Sequence, residues 1–381
     1  MRRIYPDFSH TFFGLSAFSR LRSKNGRAAP PHWERGRLSG AAAVLVLALL
    51  LTGCGAPSAS GGGEENSRSF FAMDTFMNIR AWGADDTLLE QAEELVGALE
   101  ASVSTTREAS ELHALNETGS AALTGDAAYL LGRALDICGE TGGALDISIY
   151  PVVRAWGFTT SEYHVPEEDE LSRLLQSVDY TRVVLDGDAV SLGEGMEIDL
   201  GAVTKGYTGD RITALLRENG VTSALLDLGG NIQTLGSKPD GSDWRVAIRN
   251  PEGDGILGAL SISDKAMITS GGYERYFVDE DGNMWWHIMD PATGYPAKNG
   301  LISVTVVGDE GLYCDALSTA LFIMGREQAV SFWREHQDFG MVLVSGDGEM
   351  LLTPELYDSF TPAEGLAYSI ERISNEEGGD V

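Results

Sequence analysis

Positive charge is scarce in this chain, with 27 Lys and Arg against 57 Asp and Glu and a net charge of −30. The shortage is sharper beyond residue 53: the first 53 residues hold eight basic and two acidic side chains, which leaves 19 against 55. A body this acidic argues against nucleic acid as a partner. Cysteine is rarer still, at three residues. With Cys54 set aside, Cys138 and Cys314 allow one bridge at most. Cys138 falls in an expected helix and Cys314 beside Asp315, so two free, buried thiols are expected. Several chemistries lack their motifs. No Gly-x-Gly-x-x-Gly follows a strand and there is no phosphate-binding Walker loop, which excludes a Rossmann mode for any dinucleotide. There is no Gly-x-Ser-x-Gly and no His-Glu-x-x-His. Histidine is also sparse, at six. His10 and His32 lie in the first 53 residues, and His113, His164 and His336 have the neighbours of surface residues. His287 differs, because it ends an aromatic strand (Trp285-Trp286) and precedes the tight loop Asp290-Pro291-Ala292-Thr293-Gly294.

What is present begins with an address. Arg35 and Arg37 precede the apolar run Ala41–Leu51, too short to span a bilayer and of the length of a signal-peptide core. Leu51-Thr52-Gly53-Cys54 fits a bacterial lipobox, and a Gly/Ser/Pro-rich segment follows. The expectation is a leader over residues 1–53, cleavage before Cys54 and lipid on its sulfur. A flexible linker over 54–69 would then hold an exported, soluble body at the membrane, outside the cytoplasm. The folded domain is expected over 70–373 and an acidic, disordered tail over 374–381.

Within the body, period-two alternation predicts a strand over Phe70–Trp82. Thr87 and Glu90 read as the capping box of a helix with its apolar face at Leu88, Ala92, Leu95, Val96, Leu99 and Val103. A second helix is expected over Asp126–Cys138, and a hairpin about Asp186-Gly187. A strand over Met196–Leu200 leads into a helix ending near Asn219. Further strands are expected at Ala224–Leu228, Trp244–Ile248, Ala266–Thr269, Tyr273–Phe277, Trp285–Met289, Ile302–Val307, Met341–Val344 and Met350–Leu352. A helix over Tyr313–Met324 is closed by Gly325. Strands and helices mix without regular alternation, so the fold class is α+β.

Two stretches carry chemistry. In Ile198–Tyr207, Gly201 stands at a strand-to-helix junction. The free N–H groups of a helix start suit an anion, and Lys205 adds charge one turn in. Asp315 and Thr319 are four apart and share a helix face. Carboxylate and hydroxyl suit a hard cation such as Mg²⁺; the same residues also suit a helix cap. Leu228-Gly229-Gly230-Asn231 reads either as an anion-binding nest or as a glycine turn.

These stretches resemble the signature of the FAD:protein FMN transferases, the ApbE family. Further blocks match in order: Met73-Asp74-Thr75, Ser110-Glu111-Leu112, Gly143-Ala144-Leu145-Asp146, Pro151 with Trp156-Gly157, Leu228–Asn231, Ser270-Gly271, and His287–Pro291 with Thr293-Gly294. The resemblance spans roughly residues 70–345. It implies a two-lobed catalytic domain of mixed sheets with packed helices, FAD as substrate and Mg²⁺ as cofactor. It implies Mg²⁺ ligands at Asp315, Thr319 and the Ala202 carbonyl, with Ser318 where some relatives carry a second acid. It places Met73, Thr106, Ala144, Leu145, Asp146, Asp199, Lys205, Ile288 and Met289 around the dinucleotide, and gives His287 the deprotonation of the acceptor hydroxyl. The acceptor would be a redox-complex subunit bearing Asp-Gly-x-[Ser/Thr]-Gly-Ala-[Ser/Thr], a motif this chain lacks. Thr106 stands where the family often has an aromatic facing the flavin, which leaves hydrolysis of FAD to FMN and AMP as the alternative to transfer. A flavin-binding lipoprotein without activity is the more distant alternative.

Overall fold

The structure, a computed structural model, describes residues 63–375. The leader, Cys54, most of the linker and residues 376–381 lie outside the described residues. The architecture is mixed α and β, as expected. Its centre is a nine-stranded sheet. In spatial order its strands are Glu65–Ala72, Thr75–Trp82, Ser223–Leu228, Asn231–Leu235, Ala266–Gly271, Leu301–Gly308, Gly340–Ser345, Glu349–Leu352 and Ser369–Arg372. Neighbours are antiparallel except the last pair. Alternate side chains go to opposite faces. Thus Met341 and Leu343 pack with the helix Gly311–His336, while Val342 and Val344 pack with the small sheet of Trp244–Arg249 and Ile256–Ile262. Helices Asp86–Val103 and Gly201–Glu218 cover Met77, Ile79, Leu226 and Leu228.

Several local expectations change. The strand foreseen over Phe70–Trp82 is a hairpin that begins at Glu65, inside the segment expected as linker, and turns at Met73-Asp74. Both turn residues have positive φ (50° and 58°), as a two-residue hairpin turn requires. Methionine is not a turn former, so nothing in the pattern marked the reversal. The first helix is capped by Asp85, whose Oδ1 accepts from Leu88 N at 2.8 Å, instead of by Thr87. Met196–Leu200, expected as a strand, joins no ladder. Asn116 takes the place of a partner strand: its Nδ2 donates to Ile198 O and its Oδ1 accepts from Ile198 N, at 2.9 and 2.8 Å. Tyr273 and His287–Met289 lie outside strands, because the small hairpin narrows to Tyr276–Val278 and Met284–Trp286. Gly325 (φ 77°, ψ 174°) is non-helical and closes the helix that starts at Gly311, as expected; a second helical stretch follows it directly and runs to His336.

The two long helices that build the site meet through glycine. A Cβ on Gly206 would stand 2.5 Å from the carbonyl carbon of Gly311 and 2.8 Å from Cβ of Asp315. Only a residue without a side chain permits that approach.

Candidate active site

Asp315 does not cap its helix. The Gly311–His336 helix starts one turn earlier, and its first N–H groups are taken by Asp210 of the facing helix, from Gly311 N at 2.7 Å and Leu312 N at 2.9 Å. The capping alternative for Asp315 therefore falls. Its carboxylate is buried, and Oδ2 accepts from Gly206 N at 2.8 Å. In a regular helix the N–H of residue 206 points at the carbonyl of residue 202. The Ala202 carbonyl and the Asp315 carboxylate thus flank a single N–H. Burial raises the Asp315 pKa, opposed by Lys205, the Gly206 N–H and Asn231. One turn on, Thr319 Oγ1 lies 3.3 Å from Ser270 Oγ, which also meets Ser318 Oγ at 2.8 Å.

Lys205 has no salt bridge among the described residues; its Nζ donates to Asn231 Oδ1 at 3.4 Å. Its charge reaches Asp315, Glu274 and His287. Glu274 has its pKa pushed up to about 6, chiefly by burial. Arg275 lies between two expected site residues. Its charge opposes the burial that raises the Asp199 pKa, and its carbonyl accepts from His287 N at 3.1 Å and faces Nδ1 at 3.3 Å. A carbonyl only accepts, so Nδ1 carries the proton and Nε2 keeps a free lone pair. Burial, then the charge of Arg275, lower the His287 pKa to about 3. The imidazole is therefore neutral at pH 7. Lys205, Asp315, Glu274, Arg275 and His287 form one electrostatic cluster assembled from two helices and a loop.

A model of the ApbE family matches residues 73–343. The chain belongs to the ApbE family. It is 33% identical over 340 residues to a FAD:protein FMN transferase of Treponema pallidum, covering 82% of this chain and 93% of that protein. With a Klebsiella pneumoniae protein of the same name it is 35% identical over 226 residues, 58% of this chain and 69% of that one. Among solved structures it resembles the ApbE protein of Thermotoga maritima (TM-score 0.73, 27% identity, 78% of this chain and 99% of that one). It also resembles the flavin transferase ApbE of Vibrio cholerae, with TM-score 0.70, 27% identity and the same two coverages.

The family's expected positions divide into two groups. Ala202, Lys205, Asp315 and Thr319 gather where the two long helices meet, with Asp199 and His287 joined to them through Arg275. Met73 sits at its hairpin turn with Sδ 3.7 Å from the Thr208 hydroxyl, against the same helix. The others lie apart from this cluster. Leu145 is core. Asp146 accepts from Ser148 N and Oγ at 2.8 and 2.6 Å and from Tyr180 N at 3.1 Å. Ala144 precedes this knot and is half-buried. The side chains of Ile288 and Met289 enter two different cores. Thr106 is exposed; its neighbour Thr105 reaches the Tyr150 hydroxyl, near Asp199. Two anion expectations change. Gly201 N is not free, because Asp199 Oδ1 takes it at 3.0 Å. Gly230 N donates to Asp227 Oδ1 at 2.9 Å, so the glycine pair is a hairpin turn and not a nest. Both thiols are free and buried, as expected.

Sequence reasoning missed Glu274 and Arg275 as site residues and read Asn231 only as the end of the Leu228–Asn231 block, with no role for its side chain. A charged pair directly after Ser270-Gly271-Gly272-Tyr273, at the end of a buried strand, is the signal that marked the first two. A cleft of about 250 Å³ beside Asp210 is lined by Gln233, Asp264, Lys265, Asp309 and others but by none of the expected residues, so it is not this site.

Proposed function

We propose that this chain transfers FMN from FAD to a hydroxyl of an acceptor protein. The supporting observation is the convergence of Lys205, Asp315 and His287, brought from separate elements into one cluster with a neutral, Nδ1-protonated imidazole. An acceptor Ser or Thr hydroxyl loses its proton to His287 Nε2 as its oxygen attacks the FMN phosphorus. The pyrophosphate P–O bond breaks, AMP leaves with the bonding electrons, and a phosphoester remains. Lys205 attracts the pyrophosphate. Bound phosphates also offset the positive charge of Lys205 and Arg275 near His287, which lifts its basicity toward the working pH.

The oxygen donors Asp315, Thr319 and the Ala202 carbonyl fit a hard divalent cation such as Mg²⁺, and a single carboxylate leaves coordination positions for substrate phosphates. Such a cation supplies neutralisation of the pyrophosphate and of the departing AMP. The acceptor is a redox-complex subunit with the Asp-Gly-x-[Ser/Thr]-Gly-Ala-[Ser/Thr] motif. The chain acts outside the cytoplasm, held to the membrane by lipid on Cys54.

The test incubates the protein with FAD, Mg²⁺ and a fragment bearing that motif, and follows AMP and the intact mass of the fragment. An FMN-sized mass gain matched by AMP is the expected result. AMP with free FMN and an unmodified fragment replaces transfer with hydrolysis, the alternative that the non-aromatic Thr106 leaves open. Bound FAD without AMP overturns the enzymatic reading.

A further inference from the structure

Asn231 is 4% exposed and opens the second strand of the Gly229-Gly230 hairpin. That turn is wedged against the Met73 hairpin, since a Cβ on Gly229 would run into Thr75. Asparagine offers one acceptor and two donors. The acceptor, Oδ1, is used by Lys205 Nζ at 3.4 Å. The donor, Nδ2, is buried with no protein partner. Buried side-chain donors in native proteins are nearly always paired, so one left open beside a functional cluster calls for a ligand. The Asn231 amide lies close enough to the Asp315 carboxylate to favour the ionised form, but Nδ2 stands beyond hydrogen-bond distance of it. The open amide therefore lies beside both the Lys205 ammonium and the Asp315 carboxylate.

We infer that Asn231 is a substrate-binding residue that donates its Nδ2–H to a phosphate oxygen of the dinucleotide, forming with Lys205 a two-point clamp on the pyrophosphate. The Lys205 contact fixes the amide orientation by occupying Oδ1, so the donor is set before the substrate arrives. The assignment rests on FAD as the ligand and names the part of it that is recognised.

The test titrates the full chain and its Asn231→Ala variant with FAD, ADP and riboflavin, with a chelator present so that no metal contributes. Loss of a hydrogen bond to a charged oxygen predicts FAD and ADP binding weakened by about tenfold or more, with riboflavin affinity unchanged. Unchanged ADP affinity in a variant that still binds riboflavin overturns the inference. So does an Asn231→Ala effect that vanishes in a Lys205→Met background, because Asn231 then acts only by holding the lysine. A structure of the FAD complex tests the same point without substitution: no phosphate oxygen within hydrogen-bond distance of Nδ2 refutes it. If the wild-type chain binds neither FAD nor ADP, the flavin reading fails and this inference with it. If it binds both and the variant matches it, only Asn231 is misassigned.

Discussion

Replacing Gly206 by Ala perturbs stability and the site through one added methyl group. The new Cβ would lie 2.5 Å from the Gly311 carbonyl carbon and 2.8 Å from Asp315 Cβ, and Gly311 O is nearer still. Ordinary contact begins near 3.4 Å, so the helices must separate by about 1 Å, an overpacking cost of about 1–3 kcal/mol. Most of the neighbours are backbone, so rotamer changes give little relief. The same separation stretches the 2.8 Å bond from Gly206 N to Asp315, and a hydrogen bond to a buried charged group contributes about 1.5–3 kcal/mol. Together these predict a fall in melting temperature of roughly 5–15 °C. Misplacing Asp315 from Ala202 by that distance predicts about a hundredfold loss of FMN transfer. Calorimetry and AMP release measure the two effects. Gly97→Ala is the control: it is exposed, with nothing within 4 Å of a Cβ, and predicts a gain of roughly 0.5–1 kcal/mol from helix propensity. A Gly206→Ala protein with wild-type melting and wild-type turnover refutes the close-approach argument.

Removing the buried carboxylate by Asp315→Ala predicts a loss of turnover of about a thousandfold or more; retained turnover in the presence of Mg²⁺ removes Asp315 from the chemistry. His287, with its pKa lowered to about 3 in the folded chain against an ordinary 6.5, predicts a pH-dependent stability. Above 6.5 the ring is neutral in both states, and as pH falls toward 3 only the unfolded chain gains the proton, so stability is lost on acidification. Melting temperatures from pH 7.5 to 4.5 should fall more steeply in the wild type than in His287→Gln, and equal slopes contradict the burial argument. Burial pushes the Cys138 thiol up to about 12 and raises Cys314 well above its ordinary value. Both should therefore resist a thiol reagent in the native protein and react once guanidinium unfolds it, as read by peptide mass.

The family, the α+β class and several local devices were legible in the sequence because they depend on neighbours along the chain. The Asp186-Gly187 reversal follows from residues that tolerate the turn. The Asp86–Val103 helix follows from its apolar spacing. Asp315 and Thr319 share a face because a helix repeats every 3.6 residues. The tertiary structure decided what those side chains do. Asp210 caps a helix one hundred residues downstream, which frees Asp315 to face Gly206. Asn116 stands in for a strand beside Ile198, 82 residues away. The Arg275 carbonyl sets the tautomer of His287, and the turn at Gly229-Gly230 delivers Asn231 to Lys205. Each of these is a hydrogen bond between groups distant in sequence, and local preference carries no information about which distant donor and acceptor meet. Only the packing of the sheet against the two glycine-joined helices brings them within reach.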